Sequence, residues 1–533
     1  MSSAHVTAGA PPAGPAAGVG DRANLTTWIC VCSGLLGAFM AVLNIQITNA
    51  SLPQIQGGIG TGADNGPWIS TSYLIGEIIV IPLTAYLSQV FSFRRFLLIN
   101  TALFLIFSVA CAFAANLGQM IALRGIQGFT GGVLIPMAFT LVMTRLPLSQ
   151  RSVGMALFAI TATFAPSIGP TIGGWLTDHW GWEYIFYLNL VPGIAMLAGL
   201  YATLEQEPMR LHLLKEGDWF GIGAMAIGLA ALQTVLEEGN KDDWFGSPFI
   251  VRLTLVAVVF LSLFVWIELR AAKPAVDLRL LFRRNFGFGT LANVFLGFNL
   301  YGSAYLLPQY LAQVQGYDSQ QIGLVVAWVG LPQLLIIPLV PLMMKRIDAR
   351  WLVAGGLTVW SVSCFMNMHM SLDYGGDQLF TPNIVRALGQ AVVMAPLSAI
   401  AMIGIARHES AAASGVFNMT RNLGGAFGTA LISTFVLKRE QFHSNIIGQS
   451  VTLFREEVRA RIDEMTQFFV AQGMPDPATA QQQAIIAIGK IVKAQALVMG
   501  YSDAFAAIGV ITLASAACVF IMRKGAASGG GAH

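Results

Sequence analysis

Residues 118–143 read GQMIALRGIQGFTGGVLIPMAFTLVM, with one charge, Arg124. A helix crosses a bilayer in about 20 residues at 1.5 Å each, so this run is sized to span one. Residues 381–404 read TPNIVRALGQAVVMAPLSAIAMIG, again with one charge, Arg386, and with Pro396 after it as Pro136 follows Arg124. A second echo lies nearby: Arg94 follows Pro82-Leu83 as Arg350 follows Pro338-Leu339, twelve residues after the proline in both cases. Long apolar runs that recur with their charges and prolines in register predict a duplicated helical membrane bundle. Parallel repeats of that kind place a substrate site near the bilayer midplane, where the copies meet.

Composition agrees. The 533 residues are 55% apolar and only 11% charged, with a mean hydropathy of +0.66. A soluble globular domain carries about 25% charged residues. The balance excludes a soluble enzyme, a disordered chain and a nucleic-acid binder, and the net charge of +3 is too small to argue for an acidic partner. Cys30, Cys32, Cys111, Cys364 and Cys518 all sit in apolar runs, without metal-ligand spacing or a disulfide framework.

Fourteen apolar segments are expected, near 28–48, 67–90, 96–115, 118–143, 152–176, 183–203, 218–236, 250–269, 287–308, 319–343, 350–370, 381–404, 411–437 and 501–522. This predicts an all-α polytopic membrane protein. Its parts are a disordered segment 1–24, a six-helix bundle 25–204, two inserted helices with linkers 205–286, a second six-helix bundle 287–523, and a flexible tail 524–533. Loop charges give the orientation, since cytoplasmic loops collect Lys and Arg. Alternate loops hold Arg22; Arg94 and Arg95; Arg145 and Arg151; Arg210 and Lys215; Arg270, Lys273, Arg279, Arg283 and Arg284; Lys345, Arg346 and Arg350; Arg407; and Arg523 and Lys524, whereas the short opposite loops hold only Lys241. Both termini are therefore expected in the cytoplasm. Trp28, Trp68, Trp180, Trp219 and Trp351 lie near span ends, as interfacial residues do. Residues 438–500 form one long polar outside segment, read either as a docking surface or hairpin over the pore, or as a solvated loop folded on its own chain.

Charges within a span are costly and usually face a cavity or a partner. Glu77, Arg124, Arg386 and Arg421 meet that description, and Glu77 is the one acid well inside an expected span. Glu77 lies about 13 Å below Trp68, Arg124 lies about 9 Å deep from the same side, and Asn44 is near the outer end of the first span. Two readings fit: Glu77 carries a proton and Arg124 tunes it, or Glu77 makes a structural contact with Arg124 or Asn44. Arg386 and Arg421 fit either carbonyl or structural pairing or substrate contact.

Arg124-x-x-Gln127-Gly128, Gly169-Pro170-x-x-Gly173-Gly174 and Asn418-x-x-Arg421-x-x-Gly424-Gly425 resemble motifs of the EmrB/QacA family of fourteen-helix drug–proton antiporters in the major facilitator superfamily. Arg124, Gln127 and Gly128 match its RxxQG. Gly169, Pro170, Gly173 and Gly174 match the GPxxGG antiporter motif, and Asn418, Arg421, Gly424 and Gly425 match NxxRxxGG. The loop motif GxLaDrxGrr keeps Arg94 and Arg95 but has Ala85, Ser88 and Ser92. Asn44 stands where the family's first helix has an aspartate, so proton coupling would fall to another acid. The resemblance implies proton-coupled export of amphipathic toxic compounds from the inner membrane of a bacterium. It also implies a periplasmic adaptor and an outer-membrane channel as partners, and a role for GPxxGG in preventing leak of the empty carrier. Its small residues and proline read as a hinge or tight seam between the halves.

A cavity of aromatic and weakly polar residues suits bulky apolar substrates. Candidates are Phe39, Phe295, Phe298, Tyr301, Tyr305, Gln309, Arg386, Asn418 and Arg421, with lipid contact or packing as the alternative role for the aromatics. The other functional readings are export of one metabolite, such as a fatty acid or siderophore, and a non-transporting sensor or scaffold. No nucleotide loop, catalytic cluster, metal site or cofactor motif is present in the sequence, so neither ATP hydrolysis nor enzymatic catalysis is expected.

Overall fold

In a computed structural model the described residues are 22–62, 65–271, 274–406, 409–474 and 476–522. Residues 1–21 of the expected disordered segment, the tail 524–533, and Lys273, Arg407, Arg523 and Lys524 of the charge pattern lie outside them. The described residues hold helices and no strand.

Among the described residues, twelve helices are long and apolar enough to cross a membrane: α1 Leu25–Ala50, α2 Trp68–Phe91, α3 Phe93–Ala112, α4 Leu117–Arg145, α5 Leu148–Trp180, α6 Tyr184–Thr203, α7 Trp219–Glu238, α8 Pro248–Arg270, α10 Gln320–Arg346, α11 Ala349–His369, α12 Gly376–Ala401 and α14 Pro477–Val519. Two more are long enough but more polar, α9 Arg284–Gln313 and α13 Ser410–Ser450. Buried Asn293, Asn299, Asn418 and Arg421 lower their apolar character. They lie deep in the bundle, and with them the helices accord with the fourteen expected segments.

The repeat is visible in the packing. In the first half α1 packs on α5 and α2 on α4; in the second, α9 packs on α13 and α10 on α12. The halves meet through two equivalent contacts, α2 against α13 and α5 against α10. Both α4 and α12 break regular winding just before Pro136 and Pro396. A proline cannot donate to the carbonyl four residues back, so each break follows from the repeated proline. The inserted α7 packs on α8, α2 and α13, while α8 leaves Leu255, Val258 and Trp266 exposed.

The outer segment differs from the expected boundaries. α13 continues unbroken to Ser450 and α14 begins at Pro477. At 43 residues α14 is about 64 Å long, twice the bilayer core of about 30 Å. No proline interrupts either extension, and the two pack on each other: Asp503 of α14 binds Arg439 Nε at 2.6 Å and His443 Nε2 at 2.7 Å. The short helix Glu456–Ala471 packs on α14 and buries Ile462. The segment is thus a helical stalk folded on its own chain. All five cysteines are free.

Candidate functional site

Glu77 sits on α2, only 2% exposed. α2 approaches α4 closely because two glycines leave room. A Cβ on Gly76 would collide with the Gly125 carbonyl oxygen, and one on Gly128 with the Tyr73 carbonyl oxygen. This explains the glycine of RxxQG. Across the interface, Asn422 of α13 donates from Nδ2 to Glu77 Oε1 at 3.1 Å. Glu77 Oε2 has no hydrogen-bond partner among the described residues. Arg421 and Arg124 both lie close enough to act on this carboxyl through space, Arg421 the more strongly.

Arg124 is held elsewhere. Its Nη1 donates to Asn44 Oδ1 at 2.6 Å and to Gln127 Oε1 at 2.7 Å, and its Nε to the Ile69 carbonyl at 3.4 Å. Its guanidinium lies 4.3 Å from the centroid of the Tyr73 ring. One buried cation therefore ties α1, α2 and α4 together, and Asn44 is part of that tie. No hydrogen bond or ion pair joins Arg124 to Glu77 among the described residues, so the structure groups Asn44 with Arg124 and places Glu77 with the second half. Arg421 is buried, and its Nη1 reaches only Met394 Sδ, at 4.0 Å. Asn418 donates to its own helix, to the Ser414 carbonyl at 2.9 Å.

Three acids beyond Glu77 are also buried among the described residues, Glu238, Glu268 and Glu440. Glu238 and Glu268 sit at or near helix ends, Glu440 lies on the extension of α13, and Glu238 Oε1 accepts from Thr71 of α2 at 3.0 Å. The expected end of α7 at residue 236 stopped short of Glu238.

The glycines of the antiporter motif face away from the expected seam between halves, while Pro170 lines the cavity there. Gly169 lies against the Gln46 side chain and Gly173 against Ile47, so these glycines seat α5 on α1 of the same half. Gly174 is buried as well. Another face of α5 meets the second half, where Ser167 and Thr171 press on Gly330 and Gly323 of α10. Gly424 and Gly428 repeat the first arrangement, lying against Val294 and Phe298 of α9. Residues four apart share one helix face, which is why each pair contacts one neighbour. In the loop motif, Ser92 is the only residue between α2 and α3 and has φ +70°; Arg94 lies 4.7 Å from the Tyr201 ring, and Arg95 is exposed.

Between the halves lies a cavity of about 40 Å³. α5 contributes Thr163, Ser167 and Pro170, α1 contributes Gln46, and α12 contributes Arg386 and Gln390. Leu300, Leu307, Val326 and Val329 supply the apolar wall. That volume holds about three waters and no drug-sized molecule. Of the residues expected to form a substrate cavity, Arg386 alone lines it. Phe39 stacks on Phe164 with ring centroids 6.4 Å apart. Phe295, Phe298, Tyr301 and Tyr305 are half-buried along α9, and Gln309 accepts from Gln313 at 2.9 Å. The sequence reading missed Asn422, Gln46 and Gln390. Neutral amides carry no cost signal like that of a charge, although Asn422 stands next to Arg421.

Residues 34–429 match the family model of the Major Facilitator Superfamily. The chain is 32% identical over 500 residues to the colistin resistance protein EmrB of Acinetobacter baumannii, covering 94% of this chain and 97% of that one. It is likewise 32% identical over 505 residues to the multidrug export protein EmrB of Escherichia coli K12, covering 93% and 96%. Among solved structures, the human organic anion transporter MFSD10 superposes with a TM-score of 0.54 at 15% identity, covering 91% of this chain and 99% of that one, a likeness of fold. The duplicated bundle, the inserted pair and these matches agree: the chain belongs to the major facilitator superfamily and, within it, to the EmrB-type permeases.

Proposed function

We propose that the protein is a proton-coupled multidrug exporter, moving amphipathic hydrophobic compounds out as protons move in, by alternating access to a site between its halves. One observation carries this: a buried carboxylic acid of the first half, with one oxygen free, is bonded to the second half at Asn422. Ionised Glu77 attracts Arg421 and accepts from Asn422, which favours the joined arrangement. Protonated Glu77 loses the attraction to Arg421. Proton binding thereby changes the force between the halves, which is what coupling requires. The export named for the EmrB relatives supports the same reading, because the likeness covers nearly the whole chain. No covalent chemistry belongs to it.

In this reading the protein lies in a bacterial inner membrane with both termini in the cytoplasm. Residues 25–204 and 287–523 act as the two moving bundles, and 205–286 bridge them. The glycines of GPxxGG keep α5 seated on α1 so that the empty carrier does not leak. The stalk stands on the periplasmic side and hands substrate to an adaptor protein leading to an outer-membrane channel.

Drug susceptibility of a deletion strain tests the function. Wild-type protein restores growth on several unrelated lipophilic drugs and Glu77→Gln does not. Restoration by both proteins alike would overturn the role of Glu77, and restoration by neither would leave the sensor or scaffold reading in its place.

A further inference from the structure

We propose that the cavity between the halves receives the negatively charged head of a lipophilic anion, with Arg386 as its counter-ion. The proposal rests on the transport reading above and names its substrate class. Arg386 is 6% exposed, and its Nη1 donates to the Ser303 carbonyl at a long 3.3 Å. Its Nε has no partner, the Trp360 ring lies 6.0 Å away, and no ion pair reaches it among the described residues. The contrast with Arg124 is direct: that guanidinium has three oxygen acceptors and an aromatic face. A buried guanidinium without compensation is held at a cost, which a counter-charge removes.

The surroundings say what the counter-charge is. Arg386 lines the cavity with the amides of Gln390 and Gln46, and no acid lines it. Gln390 Oε1 is unpartnered, so turning its amide to present N–H to an anion breaks no existing bond of that oxygen. Val326, Val329 and Leu307 close the remaining wall. About 40 Å³ accepts a carboxylate head, and the apolar body follows as the halves part. A guanidinium fork matches a planar carboxylate by two parallel hydrogen bonds, so the carboxylate is the preferred head. A lipophilic cation would meet Arg386 with nothing to offset the repulsion.

Three matched probes test this on the full-length protein in nanodiscs: 1-pyrenebutyrate, its methyl ester, and a pyrenebutyl-trimethylammonium cation. Binding is read from pyrene fluorescence anisotropy. The wild type binds the carboxylate at least tenfold more tightly than the ester. Arg386→Gln removes that preference without changing ester binding, and Arg386→Lys retains part of it. Equal binding of carboxylate and ester by the wild type would overturn the proposal. So would a preference unchanged in Arg386→Gln, or a loss of all three probes by a variant that elutes as a single folded species. The same probes in proteoliposomes separate the two levels of argument. Selective binding without proton-driven movement defeats the exporter reading and leaves the anion site standing.

Discussion

Asn422 of the second half donates to the carboxyl of Glu77 in the first half at 3.1 Å, across the contact of α2 with α13. The partner of the buried acid therefore belongs to the opposite bundle. Asn422→Ala strips the carboxyl of its one hydrogen bond. A hydrogen bond to a charged group contributes about 1.5–3 kcal/mol. Proton-coupled transport by this variant slows about tenfold or more, and the test is initial uptake into inverted vesicles at fixed pH. A rate equal to wild type would show that the contact is incidental.

Arg124 holds three helices of the first half from within. Arg124→Ala leaves the Asn44 oxygen buried and unpaired and the Gln127 oxygen with only the Cys111 thiol as donor, at a cost of roughly 3 kcal/mol in stability. Thermal unfolding in detergent falls clearly, and Arg124→Lys restores only part because an ammonium lacks the planar fork. Unchanged unfolding in Arg124→Ala would contradict the structural role.

Ser92 joins α2 to α3 alone, with φ +70° and ψ 136°, a conformation that side chains disfavour. The related loop motif has glycine here. Ser92→Gly relieves about 1 kcal/mol of strain. The expected outcome is a small rise in unfolding temperature with transport retained.

The stalk carries a pH-sensitive cap. Asp476 begins α14, and its carboxyl is held below the usual carboxylate range by the Thr479 hydroxyl and by the amides of Ala478 and Thr479. A lowered value means the cap stabilises the helix end above the ordinary carboxylate range and is lost as pH falls through it. Amide protection across residues 478–484, taken relative to the intrinsic exchange rate at each pH, is therefore high at neutral pH and falls in acid. Asp476→Ala has low protection at both, and an acid-dependent loss of protection surviving in that variant would place the sensor elsewhere.

The sequence made the bundle legible through run length, and the repeat through Pro136 with Pro396 and Arg124 with Arg386. The same register carries Glu77 onto Gln333, by the offset of 256 that relates Pro82 to Pro338. Gln333 is buried, so the second half has a neutral amide where the first has an acid. Charges were legible because burying them is costly. Their pairing was not, since partners come from other helices: Arg124 points to Asn44, and Glu77 to Asn422, 345 residues away. The facing of GPxxGG was also illegible, because glycines mark a close approach without naming the neighbour. The stalk was legible as a long polar segment, but its helix boundaries were not, because α13 runs past 437 and α14 starts before 501.

Proton flux in proteoliposomes tests the central claim most directly. A pH-sensitive dye is trapped inside, a gradient is imposed, and lipophilic drugs are added to wild type and to Glu77→Gln. Glutamine keeps the size and the hydrogen-bonding reach of the side chain but cannot titrate. The account predicts drug-triggered proton movement in the wild type and its loss, by tenfold or more, in Glu77→Gln with drug binding retained. Equal drug-triggered flux in both proteins would contradict it.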